Sequence, residues 1–325
     1  MPLAERQKIR MKYIKYRNMI IKYNGKNDTI KKMEGKSVLG KGKIEVLDNW
    51  CGMIDFSIEF VEAEINEVRY GEDKIVLLGN EEELLSSTIL QSIIFLLYQK
   101  RNLRENIVSL HASAVVKGDE VIIFSGGKGS GKTSMAYLLA MKHDDIKLVA
   151  NDYIELKIND DNTATVVYSD YGSQITFRSH VLYNLDRNLY RKLTNTNECI
   201  FNKYVKGTAD FVDLSKNTLR CNKVKIYFVG MGKTKELEVS NKVDSALQIE
   251  VYKELVQYIR GKSVVAIHED RKTISNLFID SSFFFKKKDS EYLFKLLEQI
   301  CTGKNFNIEW IRGQGNDIEK YVLGS

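Results

Sequence analysis

From Gly126 to Thr133 the chain reads Gly-Gly-Lys-Gly-Ser-Gly-Lys-Thr, the G-x-x-x-x-G-K-[ST] spacing of a loop that wraps a phosphate chain. The residue types carry the chemistry. Gly126, Gly127, Gly129 and Gly131 let successive backbone N–H groups turn towards one anion, because no Cβ stands in the way. Lys128, Ser130 and Ser134 complete the stretch expected to line the phosphates. Lys132 supplies a point charge to the outer phosphates, and Thr133 a hydroxyl suited to Mg²⁺. A nucleoside triphosphate is the expected ligand.

Such a loop works only between a strand and a helix. The apolar run Val121 to Phe124 precedes it, and Met135, Ala136, Leu138 and Leu139 follow at helical spacing. That helix turns its positive N-terminal end on the same anion. Upstream, His111 to Lys117 and Glu120 to Ser125 are two β-prone runs around Gly118-Asp119, the pattern of a tight antiparallel hairpin. With Lys117 facing Glu120, the register brings His111 opposite Gly126. A slip of one residue turns the imidazole to the other face. Downstream, Ile146 to Ala150 reads as a strand ending in Asn151-Asp152. A right-handed crossover is expected to lay it beside the loop strand, with Asp152 at the phosphate end as a Mg²⁺ ligand. A turn aspartate that merely ends a strand has the same spacing.

The rest of the chain supplies the frame. Residues 1–105 read as a β-rich N-terminal region, with short runs at Tyr13-Ile14, Met19 to Tyr23, Ile44 to Val46, Met53 to Phe60, Ala63 to Val68 and Lys74 to Leu78. A helix follows from Asn80, with Asn80 and Glu83 in capping-box spacing and an apolar face from Leu84 to Leu97. Residues 106–325 form the loop-bearing domain. There Thr163 to Tyr168, Gln174 to Phe177, Val224 to Val229 and Phe283 to Phe285 read as strands. Ser245 to Ile259 and Ser290 to Ile300 read as amphipathic helices. Asn184 to Asn222, polar and rich in Asn, Lys and Arg, reads as a mobile excursion, a lid or docking loop. His143, His180 and His268 are expected to be structural.

Composition excludes several classes. The four cysteines are far apart with no metal-ligand spacing, as in a reduced cytoplasmic protein. No apolar run is long enough to span a bilayer, so no membrane partner is expected. The net charge is +6. Arg6, Lys8, Arg10, Lys12, Lys15, Arg17, Lys22 and Lys26 crowd the N-terminus, but no nucleic-acid-binding motif accompanies them. Nucleic acid is therefore not an expected partner, and the segment reads as a solvated face. Self-association into a homo-oligomer stays open.

The stretches LHASAVVKGDEVIIFSGGKGSGKTS and LVANDYIEL resemble the HPr kinase/phosphorylase-related P-loop kinase family. The resemblance covers Leu110 to Leu156 closely and the remainder loosely. It implies an α/β fold with a mixed-sheet P-loop core, akin to HPr kinase and the phosphoenolpyruvate carboxykinases, behind an N-terminal β-rich region. It also implies ATP and Mg²⁺ as cofactors and transfer of the γ-phosphoryl group to a serine or other hydroxyl. Carried over by position, Gly126 to Thr133 would bind the phosphates, Thr133 and Asp152 the metal, and His111, Lys132 and Asp152 would be catalytic. The shorter relatives that modify ribosomally made peptides make a precursor peptide or small protein the implied substrate. A small-molecule hydroxyl kinase and a nucleotide-binding module with reduced catalysis are the alternatives. One position departs: Asn151 stands where the family has aspartate, and an amide cannot take a proton as a carboxylate does.

Overall fold

The computed structural model describes residues 11–38, 42–86, 89–169, 175–201, 204–207, 211–214, 218–240, 249 and 286–324. The chain is mixed α/β and divides into two units, Met1–Glu105 with Val256–Tyr292 and Asn106–Leu255 with Leu293–Ser325. The expected strand at Phe283 to Phe285 lies outside the described residues, as does the expected helix at Ser245 to Ile259 except residue 249, which is helical. Among the described residues no helix is long and apolar enough to cross a membrane.

In the first unit the alternating burial of β1 (Lys12–Tyr16) starts a mixed sheet of six strands. It pairs antiparallel with β2 (Met19–Asn24) and with β3 (Ile44–Leu47), which follows the short helix α1 (Asn27–Lys31). The sheet continues through β4 (Phe56–Glu62) and β6 (Lys74–Gly79), both parallel to β2, to β5 (Glu67–Tyr70) at the edge. The basic N-terminal cations that are described are partly engaged in ion pairs. Lys12 meets Asp48, Lys15 Nζ lies 2.9 Å from Glu45, and Lys26 Nζ lies 3.5 Å from Glu62.

Over the expected helix the described residues form α2 (Glu81–Ser86) and α3 (Ile89–Arg104). Asn80 Oδ1 accepts from the N–H of Glu83 at 3.2 Å, half of the expected box. The N–H of Asn80 donates to Asn66 Oδ1 at 3.3 Å. Burial runs round most of α3 and takes in Lys100, whose ammonium donates to Glu72 O at 2.7 Å and lies 3.4 Å from Asp289.

The second unit is built on a six-stranded mixed sheet. The hairpin forms in the expected register: β8 (Ser113–Lys117) and β9 (Glu120–Ser125) pair from Lys117–Glu120 to Ser113–Phe124. Gly118 takes a φ of 59°, which an L side chain resists. The loop then leads into α4 (Lys132–Lys142) and on to β10 (Ile146–Ala150). The crossover expectation needs correction here. β10 does not lie beside β9; it pairs antiparallel with β8, which stands between them. The hairpin has already filled that edge of β9, so the returning strand takes the next place out. On the other side β9 has a parallel neighbour, β16 (Lys223–Met231), which is followed by β18 (Phe306–Gly313) and β17 (Glu238–Ser240).

One face of this sheet, with Ile122, Phe124, Tyr227, Val229 and Ile311, packs on Met135, Ala136, Leu138 and Leu139 of α4. Ile318 and Val322 of α8 (Gly315–Leu323) join the same core. Each such side chain, fully buried, contributes about 1.5–3 kcal/mol, so the loop is pinned at both ends by core. A second, antiparallel sheet holds β7 (Ile107–Leu110), β11 (Ile154–Ile158), β12 (Ala164–Ser169) and β15 (Leu219–Cys221). The region expected as a mobile excursion is partly ordered. α5 (Ser179–Leu185) leads to α6 (Arg187–Thr194), and β14 (Tyr204–Gly207) pairs with β13 (Ile175–Arg178). Asp186 caps α6 by accepting from the N–H groups of Asn188 and Leu189, and Tyr190 is fully buried beneath it. Capping by Asp186 and a short apolar stripe, Leu189, Tyr190 and Leu193, packed on the core give this polar stretch its structure. The helix expected at Ser290 to Ile300 is α7 (Lys287–Thr302).

Candidate functional site

β9 ends at Ser125 and α4 begins at Lys132, so the glycine-rich segment is the whole link between them. Gly126, Gly129 and Gly131 have φ of 133°, 81° and 100°. At Gly127 and Gly129 an added Cβ would meet nothing within 4 Å. A side chain at either position would project into open space. Gly131 is different: a Cβ there would come 2.6 Å from Cβ of Met231. The N–H of Met231 donates to Ser130 O at 2.9 Å, which moors the loop to the end of β16.

Gly131 stands at the N-cap of α4 and gives it no side-chain cap, and the first backbone bond of the helix is Met135 N–H to Gly131 O at 2.9 Å. The N–H groups of Lys132, Thr133 and Ser134 belong to the turn that has no intrahelical acceptors. The buried hydroxyls of Ser125 and Ser130 also have no hydrogen-bond partner among the described residues. Donors gathered this way at a positive helix end suit a multiply charged oxyanion. Lys132 is buried, and its ammonium donates to Gly126 O at 2.7 Å and Gly127 O at 3.2 Å.

Thr133, one residue into the helix, meets the end of β10. Its Oγ1 lies 3.1 Å from Ser113 Oγ and 3.4 Å from Asn151 O. Ser113 Oγ donates to the same carbonyl. Asp152 follows directly, and its Oδ1 stands 2.6 Å from His111 Nε2. The sequence expectations for His111, Thr133 and Asp152 thus fall in one place, although the route for His111 differs. The hairpin ladder stops at Ser113–Phe124, so His111 is not paired with Gly126. It lies between β7 and β8, where the chain passes from one sheet to the other.

Sequence reasoning missed two groups. Ser113, fully buried, joins Thr133 to the Asn151 carbonyl; its place in the hairpin opposite Phe124 was a usable sign. The second group comes from far along the chain. A pocket of about 150 Å³ adjoins the loop, with Gly126, Gly127 and Lys128 on one side and Lys233, Trp310 and Arg312 on the other. The Gly-Met-Gly-Lys that ends β16 and runs just past it, and the Trp-Ile-Arg of β18, carry these residues. Only the parallel pairing of β9 with β16, and of β16 with β18, brings them to the loop.

Other histidines are spoken for: His143 Nε2 lies 3.0 Å from Glu319, and His180 stacks on Phe201 at 6.4 Å. His268 lies outside the described residues. Among the described residues no three His, Cys, Asp or Glu side chains gather as a metal site. A Mg²⁺ at Thr133 and Asp152 would therefore need phosphate oxygens and water to complete its shell, which is its usual habit.

No protein family and no curated protein matches the chain. Among solved structures, the HPr(Ser) kinase/phosphatase from Coxiella burnetii is similar over 66% of this chain and 91% of that one. The identity is 10% and the TM-score 0.25, a likeness too loose to speak for the activity of this chain.

Proposed function

We propose that the second unit binds a magnesium nucleoside triphosphate in the Gly126–Thr133 loop and transfers its γ-phosphoryl group to a hydroxyl. The observation that carries this reading is the convergence of three things at one end of the sheet. These are the uncapped start of α4, the open glycine positions before it, and Thr133 on the carbonyl that precedes Asp152. In this reading Gly126 to Ser134 hold the phosphates, Lys132 moves from its loop carbonyls to the outer ones, and Thr133 and Asp152 hold Mg²⁺. The metal would neutralise charge on the phosphates. The acceptor oxygen bonds to the γ-phosphorus while the bond to the β,γ-bridging oxygen breaks and the nucleoside diphosphate leaves. The hydroxyl proton needs a base. His111 Nε2 and Asp152 Oδ1, 2.6 Å apart, share a hydrogen bond between two groups that can each take a proton. We assign the proton to this pair.

The acceptor we favour is a serine or other hydroxyl on a ribosomally made precursor peptide or small protein. Asn151 favours a second reading, a nucleotide-binding module with reduced catalysis, because position 151 offers an amide in place of a base. Incubation with γ-labelled ATP, Mg²⁺ and candidate peptides or small hydroxyl compounds separates these readings. Label transferred to a peptide and lost in His111→Asn supports the kinase; label on a small compound moves the acceptor class. Nucleotide bound with no acceptor labelled supports the module. Asn151→Asp then raises the rate if the amide has cost the site a base, and an unchanged rate leaves that role with His111 and Asp152.

A further inference from the structure

The pocket beside the loop has a composition that a phosphate cradle alone does not require. Ser125, Phe228 and Trp310 are partners in one row across β9, β16 and β18, and Gly230 and Arg312 are partners in a later one. Residues paired in parallel strands point to the same face, and their neighbours Phe124, Tyr227, Val229 and Ile311 face α4. The row of Ser125, Phe228 and Trp310 therefore lies on the opposite face, at the end of the sheet from which the loop springs. Two strand spacings, roughly 10 Å, separate Ser125 from Trp310.

Trp310 is half-buried, and the Arg312 guanidinium stands over its ring at 5.4 Å. Gly230 makes room for this pair, since a Cβ there would sit 3.0 Å from Cγ of Arg312 and 3.4 Å from Cδ of Lys233. Lys128 and Lys233 complete the rim. Glu238 lies across the β17–β18 ladder from Arg312, yet among the described residues none of these three cations has an ion pair. The space is thus cationic near the loop and flat and aromatic further out. That order matches a nucleotide, which is charged at its phosphates and planar at its base.

Resting on the nucleotide reading above, we propose that the base of the bound nucleotide stacks on the Trp310–Arg312 pair. Lys233 and the Arg312 guanidinium then face the oxygens between base and loop. Indole and guanidinium planes both stack on bases with little regard to base identity.

The chain has two tryptophans. Trp50→Phe, far from the loop in sequence and in the other unit, leaves Trp310 as the sole reporter. Titrating that protein with Mg-ATP is expected to change Trp310 fluorescence, while inorganic triphosphate with Mg²⁺ binds without changing it. In calorimetry, Trp310→Leu is expected to weaken Mg-ATP about tenfold and leave triphosphate unaltered. The fluorescence arm needs no change at Trp310 and so does not depend on that variant folding. Triphosphate and Mg-ATP bound with no difference in Trp310 response, or equal weakening of both, overturns the stacking and spares the loop. Failure of wild type to bind either overturns both.

Discussion

Three alanines in one loop separate backbone strain, steric clash and ligand space. At Gly127 the backbone is ordinary and an added Cβ meets nothing within 4 Å. Gly127→Ala should change stability by no more than about 0.5 kcal/mol, because reduced freedom of the unfolded chain favours the variant and no contact opposes it. At Gly129 the space is equally open but φ is 81°, so alanine costs about 1–2 kcal/mol of left-handed strain. At Gly131 a φ of 100° combines with a Cβ placed 2.6 Å from Met231 Cβ. Overpacking of that kind adds roughly 1–3 kcal/mol, for about 2–5 kcal/mol in all. Moreover, the clash pushes α4 away from β16 at the point where Met231 N–H holds Ser130 O. Urea unfolding, followed through Trp310 in the Trp50→Phe background, reads the second unit alone. The expected order of destabilisation is Gly131→Ala, then Gly129→Ala, then Gly127→Ala. Nucleotide binding should follow a different order, with Gly127→Ala losing affinity at unchanged stability because its methyl enters the space left for phosphate. Equal destabilisation by all three, or Gly127→Ala binding as wild type does, would refute the geometry argued for the loop.

Two further expectations test burial and charge elsewhere. Burial, helped by the charge of Asp119, pushes the Cys221 thiol up to about 12, so at pH 8 it should resist alkylation while exposed Cys51 reacts; peptide mass mapping reads the difference. Burial also lowers the pKa of Lys100 from 10.5, against the pull of Asp289. Between the lowered value and 10.5 the folded state binds fewer protons than the unfolded one, so stability rises with pH there. Wild type should therefore gain on Lys100→Met as pH climbs through that window, and a parallel pH course for the two in denaturant titrations would contradict it.

How far the fold could be read ahead depended on the range of the interaction. The loop, the hairpin register and the end of β10 are local matters. Glycine spacing, a Gly-Asp turn and an apolar run stopping at Asn151 are enough to place them. The position of β10 was not local, since it depended on the hairpin taking the edge of β9 first. The Trp310–Arg312 wall was further out of reach. Nothing near Gly126 in sequence says that β16 and β18 will be its neighbours, and their alternation serves a core strand equally well. His111 lies between: its residue type and rough place were legible, but its 2.6 Å approach to Asp152 comes from a chain crossing between two sheets. The α6 region misled because its apolar stripe, Leu189, Tyr190 and Leu193, spans only two turns inside a run of Asn, Lys and Arg.

Every role proposed for the second unit requires the loop from Gly126 to Thr133 to grip a triphosphate. Calorimetry with Mg-ATP on the full chain, wild type beside Lys132→Ala, decides it. Heat of binding in the wild type, with affinity reduced at least about tenfold in the variant, is the expected result. Absence of heat in the wild type, or the same affinity in both proteins, would contradict the claim.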